Sequence, residues 1–308
     1  MLGAGVIFVL SPLIIRWVWD TRPLPQGDLR QRLVAMCEQY GVGVRELLLW
    51  RTFGGMVNGA VMGFLGPVRY ILLTDALLDA LPTPQVEAVM AHELAHIRRH
   101  HMFWMMAAAA TAMIVLSTGF RLGLDLVIPY VEPRAQGRRA VAQQVQAMLA
   151  SDMALETIAY VPAVGCWFFV FGWVSRRFER QADTFAVQHM AQLREQEQRE
   201  EAPGDDDATP VPLHDAAPPR KVVIDAASAR TMIDALQQVA DLNHIATRRR
   251  SWRHGSIAWR QGYLRSLIGR AANDLSIDRQ VRWIKGATAL VAAGVVALLV
   301  TGWVQVAI

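Results

Sequence analysis

Apolar residues along this chain fall into two patterns, long runs and helical stripes. Four runs approach the ~20 residues that a membrane-crossing helix requires: Leu2–Trp19, Met102–Phe120, Ala154–Val174 and Ala287–Ile308. The first is uncharged as far as Ile15, then carries Arg16 and the pair Trp17 and Trp19, which suit a membrane interface. It lacks the basic start and small-residue cleavage site of a secretory signal, so residues 1–19 read as a helix. Residues 102–120, 154–174 and 286–308 complete the set of spans, with Pro162 as a kink in the third. Residues 121–153 read as a loop on the opposite side of the membrane. The expected fold is therefore mainly α, a multi-span membrane protein with a soluble part that carries a small β-sheet.

The soluble part falls in two halves, residues 28–101 and 175–285. Asp28–Tyr40 has helical spacing through Leu29, Leu33 and Met36. Leu47–Thr74 reads as short strands with Gly-rich turns, most plainly at Val68–Thr74. A helix is predicted over Thr83–His101, with Thr83 as N-cap, Pro84 at its first position and an apolar stripe of Val86, Val89, Met90, Leu94 and Ile97. Glu195–Pro219 is acidic, Pro-rich and free of aromatics, and reads as a disordered loop. Helical spacing returns over Asp225–Ala246, followed by the basic turn Arg248–Arg253.

Composition agrees with a membrane protein. Of the 308 residues 53% are hydrophobic, and the net charge is +4. Arg16, Arg22, Arg30, Arg32, Arg98, Arg99, Arg176, Arg177, Arg180, Arg279, Arg282 and Lys285 fall on one side if every span crosses once. By the positive-inside rule that side is the cytoplasm. The basic residues flank apolar runs and form no aromatic-interleaved stripe, so nucleic acid is not an expected partner. Cys37 and Cys166 lie in unlike surroundings, and with no cysteine cluster a thiolate metal site is excluded.

The candidate chemistry lies inside the helix predicted over residues 83–101, at His92-Glu93-Leu94-Ala95-His96. Histidines at i and i+4 share a helix face and can bind one zinc ion. Glu93, between them, can take a proton from water and later deliver it to a leaving amine. His100 is too far for the same ion, because eight residues from His92 is about 12 Å along the axis. His100 and His101 suit the helix C-terminus instead. A third ligand is expected from Ser175-Arg176-Arg177-Phe178-Glu179-Arg180-Gln181-Ala182-Asp183, where Glu179 and Asp183 are again i,i+4. Glu179 can complete the ligand set and Asp183 can orient a ligating histidine. On spacing alone, the segment equally reads as a helix surface laced with Arg–Glu pairs.

These two motifs, separated by an apolar hairpin, resemble those of the HtpX-like and CAAX prenyl protease membrane zinc metallopeptidases. The resemblance covers about residues 45–267. It implies a gluzincin-type zinc metallopeptidase domain with one zinc ion, Glu179 as third ligand and Asp183 as the neighbouring acid. Asn58-Gly59-Ala60-Val61-Met62-Gly63 is similar to the family's Asn-Ala strand at the active-site edge, with Gly59 in place of Ala. That implies substrate-binding roles for Asn58 and Gly63, although Asn-Gly between apolar residues equally reads as a hairpin turn. His254-Gly255-Ser256 with Arg260 resembles the family's late His-Pro motif. It implies that His254 or Arg260 stabilises the oxyanion or regulates access to the metal, while His254 equally reads as part of the basic turn.

The expectation is a zinc endopeptidase acting on membrane or membrane-associated polypeptides, in a bacterial inner membrane with its site on the cytoplasmic side. Its partners are then a polypeptide substrate and the lipid bilayer. Two alternatives are a signalling protease resembling the BlaR-type metallopeptidases and a catalytically idle membrane scaffold.

Overall fold

The structure is a computed structural model, and it describes residues 12–16, 18–135, 152–201, 222–273 and 275–300. The described chain is mainly helical with one small mixed sheet. Its elements are β1 (Thr21–Pro23), α1 (Asp28–Gln39), β2 (Glu46–Trp50), β3 (Gly59–Met62), β4 (Tyr70–Thr74), α2 (Asp75–Ala80), α3 (Thr83–Arg98), α4 (His101–Ala135), α5 (Asp152–Glu201), α6 (Ala226–Leu242), α7 (Ile257–Arg265) and α8 (Ser276–Val300). The chain divides into two compact units. One comprises Met1–His101 with Phe178–Arg279, the other Met102–Arg177 with Gln280–Ile308.

In the first unit the strands run in the order β1-β2-β4-β3. β2 and β4 pair in parallel, Leu48 opposite Leu72, while β1 and β3 pair antiparallel at the two sides. Every residue of β4 is buried, as an interior strand of continuous apolar character requires. Leu48, Tyr70 and Leu72 form a core on which Leu13, Trp19, Trp50 and Met62 pack. Trp19 stacks on Trp50 with centroids 4.2 Å apart, so it serves this core and is not the interfacial anchor expected of it.

β3 is an edge strand, and Asn58 leads into it. The Asn58 carbonyl accepts from the Thr74 amide and its own amide donates to the Thr74 hydroxyl, which excludes the hairpin-turn reading. α3 packs beneath this edge: a Cβ on Gly59 would meet Val89 Cγ1 at 3.0 Å and Glu93 Cγ at 3.7 Å. Gly63, just past β3, has φ 92°, and a Cβ there would lie 2.5 Å from the Val68 carbonyl oxygen. The backbone turn itself therefore requires glycine at 63.

α3 starts one residue earlier than its sequence signals suggest. Pro82 is the N-cap and Thr83 is already helical, without a side-chain cap. At its other end Arg99 caps the helix and His100 takes a left-handed φ of 53°, so α4 begins immediately at His101. In α6 the Asp225 side chain accepts from the Ser228 amide, an N-cap where the expected helix also began. α7, which the sequence pattern left as an unassigned stretch, is capped by Ser256 on the Trp259 amide.

Two helical stretches among the described residues are long and apolar enough to cross a membrane, His101–Phe120 and Ser276–Leu298, and little of either is buried. Of the other expected spans, 154–174 is helical within α5 but is not among these two, and most of residues 1–19 lies outside the described residues. The last apolar helix starts ten residues before residue 286, because the polar stretch Ser276–Lys285 adds about three turns to its start. The loop expected at 121–153 is corrected over its first part: α4 stays helical to Ala135, through Pro129 and Pro133, because the apolar run of Met102–Phe120 continues past Arg121 in Leu122, Leu124, Leu126, Val127 and Ile128. Likewise α5 runs to Glu201, so residues 195–201 of the expected disordered loop are helical. Its Arg199–Glu195 i,i+4 ion pair is the kind that supports an exposed helix end. Residues 152 and 153 of the first expected loop already belong to α5, and residues 136–151 and 202–219 lie outside the described residues.

Candidate metal centre

Two helices of the first unit build the site. α3 carries His92, Glu93 and His96, and α5 carries Glu179 and Asp183. The i,i+4 spacing places both imidazoles on one face, with His92 Nε2 and His96 Nε2 3.2 Å apart. Glu179 faces them: Oε2 is 3.7 Å from His92 Nε2 and Oε1 is 3.7 Å from His96 Nε2. One ligand atom from each of the three residues lies within 4.8 Å of the other two. A tetrahedral zinc ion with bonds of about 2.0–2.1 Å needs ligand atoms about 3.4 Å apart. The donor set and its spacing therefore fit such an ion. His100, at its left-handed turn, is not part of this group.

The surroundings are polar groups buried around these atoms. Asp183 Oδ1 lies 3.0 Å from His92 Nδ1, on the ring edge away from the cluster. Arg260 from α7 donates to both Asp183 oxygens, through Nε at 2.8 Å and through Nη2. Its Nη1 is 3.6 Å from Glu179 Oε2. His254, half-exposed, brings Nδ1 to 3.0 Å from Glu179 Oε1. His254 is thus placed at the cluster and not merely in the basic turn.

These charges set the protonation states. Burial pushes the Glu93 carboxyl up to about 7, with the Glu179 charge adding to it and His92, Arg260 and His254 opposing it. Burial lowers His96 to about 4, so its ring is neutral, as a ligand must be. Burial also opposes protonation of His92, but the Asp183 contact and the charges of Asp183 and Glu179 outweigh it and raise that histidine. Glu179 and Asp183 stay ionised despite burial. His254 and Arg260 hold the first well below the carboxylate range, and Arg260 with His92 lowers the second.

Two members of this environment were given no role at the site by the sequence pattern. His101, expected only as a helix-end residue, is fully buried, with Nδ1 3.1 Å from His96 Nδ1 and Nε2 2.9 Å from Gln181 Oε1. Gln181 sits inside the second motif, two residues from Glu179. Its position on the inward face of α5 was the available signal.

The comparisons with known proteins point the same way. Residues 55–202, which hold both motifs, match the model of Peptidase family M48. A CAAX prenyl protease 1 homolog from Arabidopsis thaliana is 24% identical over 185 residues, covering 59% of this chain and 42% of that protein. A protease HtpX homolog from Verminephrobacter eiseniae (strain EF01-2) is 24% identical over 200 residues, covering 61% of this chain and 63% of that one. The chain thus spans from about two-fifths to somewhat under two-thirds of these relatives' lengths. In fold it is similar to the crystal structure of S. mikatae Ste24p, with a TM-score of 0.51 at 14% identity over 85% of this chain and 55% of that one.

The class is therefore a mainly helical chain with a small sheet and a region similar to Peptidase family M48. Within that class, the kind the two motifs resemble, HtpX-like and CAAX prenyl proteases, is the kind the comparisons find. His254 and Arg260 lie beyond the matched stretch, so their place at the site rests on geometry alone.

Proposed function

We propose that this chain is a zinc-dependent endopeptidase that hydrolyses peptide bonds of membrane or membrane-associated polypeptides. The observation that carries the reading is the convergence of His92, His96 and Glu179 from two helices, with Glu93 one residue from His92. These three residues would hold one zinc ion, which when bound supplies Lewis-acid polarisation and lowers the pKa of water. Glu93 takes a proton from the attacking water and later gives it to the leaving amine. A carboxyl poised near 7 suits both halves of that exchange at neutral pH. Asp183 orients His92, and Arg260 keeps Asp183 and Glu179 ionised. His254 guards the exposed side of Glu179.

The substrate enters along β3. Among the described residues its outer edge has no strand partner in the sheet order, and the Asn58 side chain is exposed beside it, so an extended peptide can pair there. The apolar stretches His101–Phe120 and Ser276–Leu298 support membrane residence. The runs at 1–19 and 154–174 complete the proposed spans, with the 28–101 and 175–285 halves in the cytoplasm beside a bacterial inner membrane. Protein quality control is the role this arrangement serves.

The test uses the full chain in membranes with an endogenous or model membrane-protein substrate. Glu93→Gln is expected to keep stoichiometric zinc and lose at least about 100-fold in cleavage, the usual scale for general acid–base work. His92→Ala is expected to lose the zinc as well. Cleavage at the wild-type rate by Glu93→Gln overturns the mechanism.

A further inference from the structure

We propose that His101 is a positioning residue that holds His96 in the tautomer a metal ligand needs, and that Gln181 and Asp278 in turn set His101. The inference rests on the reading of His92, His96 and Glu179 as a metal site. The geometry is a continuous line of contacts within the first unit. Gln181 Nε2 donates to Asp278 Oδ1 at 2.6 Å, Gln181 Oε1 faces His101 Nε2 at 2.9 Å, and His101 Nδ1 faces His96 Nδ1 at 3.1 Å.

Donor and acceptor rules give this line one direction. An ionised carboxylate only accepts, so Asp278 fixes which end of the Gln181 amide faces it and leaves Oε1 for His101. An amide oxygen also only accepts, so the His101 proton must sit on Nε2. A neutral imidazole protonated there has its lone pair on Nδ1. His96 must then donate from its own Nδ1, which leaves the lone pair on His96 Nε2. That atom is the one 3.2 Å from His92 Nε2 and 3.7 Å from Glu179 Oε1.

The line is built to be rigid. His101 is 1% exposed and its ring stacks on Phe178, with centroids 4.5 Å apart and planes 6° from parallel. Gln181 is buried, and Arg99 Nη2 stands 3.8 Å from the Asp278 carboxylate that starts the line. The two histidine ligands are thus steered by different chemistry: His92 by the charge of Asp183, His96 by a neutral relay. The relay adds the first turn of α8 to the helices on which the metal site depends.

The experiment uses the full chain in detergent with zinc affinity measured by chelator competition, and histidine-selective nitrogen NMR on the metal-free protein. His101→Phe keeps the stacked ring but removes the acceptor. It is expected to weaken zinc binding about 10–100-fold, the scale for losing a ligand's outer partner, and to shift His96 away from the Nδ1–H form. His101→Asn restores an acceptor near the Nδ1 position and should recover affinity to within about threefold of wild type. Gln181→Met, which cuts the relay one step further out, should reproduce part of the loss and the tautomer shift. Unchanged affinity and tautomer in His101→Phe, or no recovery in His101→Asn, overturns the proposal and leaves His101 as a packing ring. Should His101→Phe fail to fold, Gln181→Met decides by the same two readouts. A wild-type chain without stoichiometric zinc sinks the metal reading itself, an outcome separate from these.

Discussion

Arg260 and Asp183, 77 residues apart, meet as a two-pronged ion pair between α7 and α5, and neither is more than 7% exposed. Asp183 reaches His92 on its other side, and Arg260 also reaches Glu179. One guanidinium therefore compensates two buried carboxylates of the site. A cation so committed is held in its charged form, and its Nε and one Nη2 donor are taken by Asp183 oxygens. The resemblance implies that it stabilises an oxyanion or regulates access to the metal; the contacts support a third role, holding the ligand frame.

That distinction is measurable. Arg260→Leu leaves two buried carboxylates without their cation, a class of change that costs about 3–5 kcal/mol. Arg260→Lys keeps the charge but not the planar fork, so it should recover only part. We expect both variants to lose folding stability and zinc affinity together. A variant with wild-type stability and zinc content but a collapsed turnover rate would instead make Arg260 an oxyanion donor.

How far the site was legible follows from how each residue reveals itself in sequence. His92, Glu93 and His96 are set by helical periodicity alone, so a local pattern suffices to bring them together. Glu179 and Asp183 share a helix face, but which surface that face meets is a tertiary fact, and the family resemblance supplied it. The role of His101 was hidden by a single backbone feature. His100 adopts a left-handed turn that starts a new helix, and the break turns His101 inward when continuous helical spacing would have placed it at a helix end. In the fold, Pro84 and Asp225 marked helix starts to within a residue. The ends of α4 and α5 were misjudged because polar sequence alone does not stop a long helix.

Gly63 separates a backbone requirement from a binding role. Its φ of 92° and a clash at 2.5 Å with the Val68 carbonyl leave no room for a side chain. Gly63→Ala is expected to cost about 2 kcal/mol in stability, within the range for a strained backbone position. Zinc affinity should be unchanged, since the residue is outside the ligand cluster. A raised KM for peptide substrate at wild-type stability would instead assign Gly63 to substrate binding.

Cys166 gives a direct test of the proposed span at 154–174. It is exposed on the surface of α5, whereas Cys37 is buried in α1 with its thiol pushed up to about 11 by burial and the neighbouring Glu38 charge. Reaction with a maleimide needs the thiolate, so Cys37 should stay inert in the folded chain. In a Cys37→Ala chain embedded in membranes, a polar maleimide should leave Cys166 unlabelled, because a bilayer covers that face. Rapid labelling in intact membranes would place this part of α5 in water.

His189 predicts a pH window for stability that does not involve the metal site. The Tyr40 hydroxyl lies 2.7 Å from His189 Nδ1, and a neutral ring there accepts its proton. Burial lowers the His189 pKa to about 4, against an ordinary value of ~6.5. Between these two values the unfolded chain binds a proton that the folded chain refuses. Stability contributed by neutral His189 is therefore complete above about 6.5, falls as the pH drops towards 4, and levels off below it. The span of the loss is about 3 kcal/mol at most. His189→Asn keeps an acceptor for Tyr40 but cannot titrate. The stability difference between wild type and this variant, measured by urea unfolding of metal-free protein in detergent, should shift against wild type as pH falls through that window. A difference that stays constant from pH 7 to pH 4 would show that His189 takes up its proton while folded.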